Sequence, residues 1–157
     1  MKIAIYPGTF DPITCGHIDI LKKAKNIFDK VILAVAENTA KSNSLFDLDE
    51  RVFLCKESTK DISNVEVKKF NGLVVDFAKK ENATIMIRGL RAVSDFEYEL
   101  SLALMNKKLN GAIDTMFFVP DAKYLYLSST IVKQVVKLGG DIHDLIPPIV
   151  EKALKEK

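Results

Sequence analysis

The chain has 157 residues, with 23 Lys+Arg against 21 Asp+Glu, 48% apolar and 8% aromatic residues, two Cys, two His and no Trp. That length suits one domain, spanning 1–157, that buries its own core; a formal net charge of +2 excludes a charge-driven disordered chain and a broad nucleic-acid surface. The longest wholly apolar run, 31–36, is far short of the roughly 20 residues of a membrane helix, no leader pattern precedes the first strand, and two Cys without close spacing fit a cytoplasmic protein better than a disulfide framework or a zinc site.

Short β-branched runs alternate with longer amphipathic stretches. A strand is predicted over 2–6 and a helix over 16–28. The apolar run 31–36 is the second strand, and a helix follows over 48–59, opened by Asp47 and Glu50 as an acidic capping box. A strand over 65–70 precedes a helix over 73–81, and a strand over 84–87 precedes a helix over 94–109, where Ser94 and Glu97 read as a second capping box. The fifth strand spans 115–119. Helices over 129–138 and 149–155 close the chain, the first ended by Gly139-Gly140 and the second preceded by Pro147-Pro148. Strands apolar on consecutive positions and separated by helices predict an α/β fold with a doubly wound, five-stranded parallel sheet. In such sheets ligands bind beyond the carboxyl ends of the strands, near the point where strand order reverses. The segments of interest are therefore 7–17, 37–46, 71–73, 88–92 and 120–130.

The first of these reads Pro7-Gly8-Thr9-Phe10-Asp11-Pro12-Ile13-Thr14-Cys15-Gly16-His17 and contains neither the dinucleotide glycine fingerprint nor the P-loop pattern. Gly8 after Pro7 allows a tight turn. His17 shares a helix face with Leu21, Ala24 and Phe28, the face that packs on the sheet. At the helix start that face looks into the crevice, where free N–H groups and the helix dipole favour an anion. A His at such a position is either a half-buried helix-start residue or a phosphate donor. Arg88 and Arg91 flank Gly89 after the fourth strand and offer forked donors to phosphate, or solvated surface charge. Ser128, Ser129 and Thr130 either cap the following helix or present their hydroxyls and N–H groups to phosphates. By composition alone Lys41 is a surface lysine. His143 has no such context, Cys55 falls in an apolar helical pattern, and nothing identifiable activates Cys15.

Gly8-Thr9-Phe10-Asp11-Pro12 followed by Thr14-x-Gly16-His17 resembles the signature of the nucleotidylyltransferase superfamily in its T-x-G-H form. With Ile87-Arg88-Gly89-Leu90-Arg91-Ala92 and Phe96-Glu97-Tyr98-Glu99, the chain resembles, within that superfamily, the bacterial phosphopantetheine adenylyltransferases. The resemblance implies a Rossmann-like nucleotidylyltransferase fold and transfer of the adenylyl group of ATP to 4′-phosphopantetheine, giving dephospho-coenzyme A and pyrophosphate. It implies catalytic roles for His17, Thr9 and Lys41. It places ATP against Thr9, Phe10, His17, Gly89, Leu90, Arg91, Glu99, Tyr124, Leu125, Tyr126, Leu127, Ser128, Ser129 and Thr130. Phosphopantetheine is placed against Thr9, Lys41, Val74 and Arg88. Mg²⁺ is implied with ATP, with no protein metal ligand. A homohexamer, and coenzyme A as feedback inhibitor, are implied as well, with no nucleic-acid or membrane partner. The loop around Lys41 departs from the family's more basic, proline-bearing form, and Thr130 stands where serine is usual. A different acceptor, either nicotinate or nicotinamide mononucleotide, or glycerol phosphate with CTP, keeps the same chemistry. A non-catalytic nucleotide sensor on this fold is the alternative from another class. Two apolar stripes on the fourth helix, Phe96-Leu100-Ala103-Leu104 and Tyr98-Leu102-Met105-Leu109, predict either deep burial or cover by a partner subunit.

Overall fold

Five parallel strands lie in one sheet in the order β3-β2-β1-β4-β5. The structure, a computed structural model, describes residues 1–37, 43–91 and 93–157, with side chains at all of these except Val93 and Ser94. The strands are β1 (Ile3–Gly8), β2 (Lys30–Ala36), β3 (Val65–Phe70), β4 (Ile85–Gly89) and β5 (Asp114–Phe118). The helices are α1 (Cys15–Ala24), α2 (Leu48–Thr59), α3 (Val74–Lys80), α4 (Val93–Leu109), α5 (Ser129–Lys137) and α6 (Pro148–Lys155). The predicted doubly wound parallel sheet is present. Strand order runs outward from β1 to β3 and then restarts at β4 on the other side of β1, so the chain reverses between β1 and β4. That is where a crevice opens in this kind of sheet.

Alternation along the strands sends side chains to two cores. Ala4, Leu33, Val35 and Ile87 pack with Leu21, Ala24 and Phe28 on the side of α1, and Val132, Val150 and Leu154 join them. Ile5, Ile32, Ala34 and Met86 pack with Val75 and Ala78 of α3 on the other. Residues 31–35 are buried without interruption, which explains why the second strand carries no polar alternation.

Several boundaries differ from those predicted, and the differences shape the site. β1 runs on to Gly8 and β4 to Gly89, because each continues to pair with its neighbour: Gly8 with Val35, and Arg88 and Gly89 with Phe117 and Phe118. Arg88 is therefore a strand residue, held by the sheet. α1 stops at Ala24. Phe28, expected inside that helix, is still buried, because the turn after Ala24 returns it to the same side. The Asp47–Glu50 capping box forms as predicted, with both reciprocal hydrogen bonds. The Ser94–Glu97 box does not define its helix start, since α4 begins one residue ahead of Ser94. Gly139 takes a left-handed φ of 81° just past α5, as a helix-ending glycine does. α6 starts on Pro148 itself, a residue suited to the first helical position.

α4 is not deeply buried. Both of its apolar stripes are largely exposed on the single chain, Tyr98 by 66% and Leu104 by 64%. Cys55 is buried and burial pushes its thiol up to about 12; burial raises the half-buried Cys15 as well. No helix among the described residues is long and apolar enough to cross a membrane.

Candidate active site

A cavity of about 490 Å³ opens at the reversal point, between the ends of β1 and β4 and the first turns of α1 and α5. Its β1 wall begins with an unusual turn. Phe10 takes a φ of 49°, a left-handed conformation that disfavours a bulky side chain, and is nonetheless buried. Its ring stands edge-on to Tyr6 at 5.4 Å and to His17 at 4.9 Å. A Cβ on Gly8 would meet that ring at 3.0 Å. The close seat of the Phe10 ring thus favours glycine at position 8; its φ is not in the left-handed region.

Asp11 fastens this turn to two distant segments. Its carboxylate accepts from the backbone N–H of Leu45 and of Phe46, both at 2.9 Å, and from Lys133 Nζ on α5 at 2.9 Å. Arg51 does similar work from behind. It is only 3% exposed, and its guanidinium donates to the carbonyls of Thr9 (2.8 Å), Ala36 (2.8 Å) and Phe46 (3.2 Å). Among the described residues no carboxylate pairs with it.

His17 is set by the helix cap. Thr14 is the N-cap of α1: its hydroxyl accepts from His17 N–H at 3.4 Å, while His17 Nδ1 accepts from Thr14 N–H at 3.0 Å. A ring nitrogen that accepts carries no proton, so the neutral ring is protonated at Nε2. Burial, then the charges of Arg91 and Arg88, lower the His17 pKa from 6.5 to about 4. At neutral pH the ring is an uncharged N–H donor lining the cavity.

The β4 wall is built from guanidiniums. Arg88 makes a two-pronged pair with Glu99 of α4, Nε to Oε2 and Nη2 to Oε1 both at 2.7 Å, and donates from Nη1 to Pro7 O at 3.0 Å. Burial opposes its charge, and Glu99 more than compensates. Arg91 donates to Asp95 at 3.0 Å and to Leu127 O at 2.9 Å. At α5, Ser128 caps the helix by accepting from Ile131 N–H at 3.1 Å, and Ser129 donates to Pro12 O at 2.7 Å. Two of the three hydroxyls are therefore engaged within the chain, and Thr130 is exposed at the rim.

Of the residues singled out from the sequence, Thr9, Phe10, His17, Arg88, Gly89, Arg91, Glu99, Tyr124, Leu127, Ser128, Ser129 and Thr130 line this one cavity. Val74, Leu90, Leu125 and Tyr126 do not: Val74 packs against the core on the α3 side, and Leu125 and Tyr126 are exposed. Lys41 lies outside the described residues. His143 is exposed, with Nδ1 2.8 Å from Asp141. Tyr6, Asp11, Arg51 and Lys133 carry much of the geometry and had not been assigned roles. Two of them left a signal. Lys133 stands four residues after Ser129 on one face of α5, and Arg51 stands three and four before the buried Leu54 and Cys55, where an apolar residue is usual.

The family model described as cytidylyltransferase-like matches residues 5–135. The phosphopantetheine adenylyltransferase of Caldanaerobacter subterraneus subsp. tengcongensis is 55% identical over 157 residues, covering 100% of this chain and 98% of that one. That of Moorella thermoacetica is 52% identical with the same coverage. That of Clostridium botulinum is 56% identical over 147 residues, covering 94% of this chain and 92% of its own. Among solved structures, the nicotinic acid mononucleotide adenylyltransferase of Plasmodium falciparum superposes with a TM-score of 0.73 at 18% identity, covering 99% of this chain and 95% of that one, a likeness of fold. With identity of this order over its whole length, the chain belongs to the phosphopantetheine adenylyltransferase family of cytidylyltransferase-like proteins.

Proposed function

We propose that the chain transfers the adenylyl group of ATP to the phosphate of 4′-phosphopantetheine, forming dephospho-coenzyme A and pyrophosphate. The observation that carries this is the fixed Nε2–H of His17 at the start of α1, in a cavity whose opposite wall holds Arg88 and Arg91. The acceptor's phosphate oxygen attacks the α-phosphorus, the bond to the β-phosphate bridging oxygen breaks, and its electron pair leaves with pyrophosphate. The nucleophile is already ionised, so no protein base is needed and no covalent enzyme intermediate forms. Catalysis is alignment and charge stabilisation. His17, with Thr9 and Lys41, donates to α-phosphate oxygens as charge builds there. Arg88 receives the acceptor's phosphate, exchanging part of its pairing with Glu99 for it, and Arg91 and the start of α5 receive ATP.

Mg²⁺ supplies charge neutralisation when it enters with ATP. The two carboxylates in the cavity wall are engaged, Asp11 by two amides and Lys133 and Glu99 by Arg88. The ion would therefore be held by phosphate oxygens and water, as is usual for Mg²⁺. The exposed apolar stripes of α4 support a homo-oligomer, a hexamer by resemblance. Light scattering of the purified chain checks it, and a monomer at micromolar concentration would refute it. A cytoplasmic location and feedback inhibition by coenzyme A complete the reading.

Pyrophosphate release from ATP tests it, measured with 4′-phosphopantetheine, nicotinate mononucleotide and, with CTP, glycerol phosphate. Release with phosphopantetheine alone is expected. Release only with another acceptor replaces the substrate assignment, and nucleotide binding without release from any acceptor replaces catalysis with sensing.

A further inference from the structure

The cavity wall contains a hydroxyl that no described residue partners. Tyr6, near the end of β1, is only 6% exposed and lines the cavity, yet its hydroxyl makes no hydrogen bond to any described residue. The ring cannot swing freely. Phe10 meets it edge-on at an interplanar angle of 87°, and the His17 ring leans on it with centroids 6.3 Å apart. The hydroxyl sits close under the end of β4, where a Cβ built on Gly89 would lie 3.9 Å from it and 3.5 Å from Ile20. The ring is packed into the wall while the hydroxyl faces the cavity, so its one donor is available to whatever enters.

The surroundings say what kind of ligand atom this is. Arg88 and then Arg91 are the cations that act most strongly on the phenol, but burial outweighs them and holds it protonated, well above its ordinary range. A neutral O–H beside two guanidiniums faces an acceptor, and the acceptor such cations gather is an anionic oxygen. Arg88 is the stronger influence and is the residue to which the proposed function assigns the acceptor substrate.

We infer that the Tyr6 hydroxyl donates a hydrogen bond to a phosphate oxygen of the acceptor substrate docked on Arg88, making Tyr6 a further substrate-binding residue. The inference rests on the proposed adenylyl transfer to phosphopantetheine. Its test is Tyr6→Phe in the full chain, with calorimetric binding of 4′-phosphopantetheine, of dephosphorylated pantetheine and of ATP beside wild type. Losing one hydrogen bond to a charged group weakens phosphopantetheine binding about tenfold. Pantetheine and ATP affinities stay within about twofold, and Tm within about 2 °C, because the hydroxyl makes no hydrogen bond to a described residue. Unchanged phosphopantetheine binding in Tyr6→Phe overturns the inference. So does an equal loss for pantetheine, which would make Tyr6 a wall for the arm, or a loss confined to ATP. A wild-type chain that neither binds phosphopantetheine nor releases pyrophosphate overturns this inference together with the function beneath it.

Discussion

The two walls of the cavity are held by different means. On the β1 side, the turn around Thr9 and Phe10 is fastened through backbone groups: Arg51 to three carbonyls, Asp11 to two amides, and Thr14 and His17 to each other's main chain. On the β4 side, the guanidiniums of Arg88 and Arg91 are held chiefly by carboxylates, Glu99 and Asp95. Backbone fastening fixes geometry, and the ring Nε2–H of His17 has no partner among the described residues to give up when a phosphate arrives. Carboxylate pairing keeps positive charge in place by compensating it, and an incoming anion must compete for that charge. Under the proposed function, the first wall acts on the bond being broken and the second receives and releases charged ligands.

The largest expected effect belongs to the first wall. His17→Ala removes a preorganised donor, whose loss typically costs about 2.7–4 kcal/mol of transition-state stabilisation. Turnover in the pyrophosphate-release assay should fall at least about a hundredfold, with the far-ultraviolet circular dichroism spectrum and cooperative melting retained. A variant turning over at close to the wild-type rate would remove His17 from the chemistry and end the distinction between the walls.

A matched pair of isosteric changes then compares the walls as structures. Asp11→Asn turns one oxygen into a donor where three donors converge, the amides of Leu45 and Phe46 and Lys133 Nζ. One of them is left facing another donor, and the cost is about 3 kcal/mol. Glu99→Gln also weakens a two-pronged pair, but Arg88 keeps Pro7 O and borders the open cavity. One Arg88 N–H then faces the new amide, but the cavity lets water reach it, and the cost is about 2 kcal/mol. At roughly 2–4 °C per kcal/mol for a chain of this size, melting curves separate the two. Equal losses, or a greater one in Glu99→Gln, would mean that the β4 wall is as structural as the β1 wall.

The same contrast governs what could be read from the sequence. Strand order aside, the sheet was legible, because residues 31–35 are buried on both faces and therefore carry no alternation. His17, Arg88, Gly89 and Arg91 were legible as polar or permissive residues directly beyond apolar strands. The partners that hold them were not. Asp11 reaches residues 34, 35 and 122 positions away, and no local pattern encodes such contacts. Arg51 left only the mark of a charge three and four positions before Leu54 and Cys55; the tertiary fold alone brings Thr9, Ala36 and Phe46 around it. Leu125 and Tyr126 were assigned to the site as part of a contiguous stretch, yet the short turn at Ala122–Tyr124 points that stretch's neighbours differently: Tyr124 and Leu127 line the cavity while the two residues between them do not.

A pH series isolates the environment of His17 from its proposed catalytic role. The ring's ordinary pKa of 6.5 falls to about 4 in the folded chain, through burial first and then Arg91 and Arg88. Between those values the unfolded chain binds a proton that the folded chain does not. Stability therefore falls as pH drops from about 6.5 toward 4, and the loss levels off below the folded value. Other groups also titrate in acid, so the measurement is a difference: melting temperatures of wild type and His17→Gln from pH 7 to pH 4, with the glutamine unable to titrate. Wild type should lose more over that window than the variant does. Parallel curves would mean that the ring protonates as easily folded as unfolded. The cap hydrogen bond from Thr14 N–H to Nδ1 would then fail to hold the neutral form, and the β1 wall would lose the feature that sets its donor.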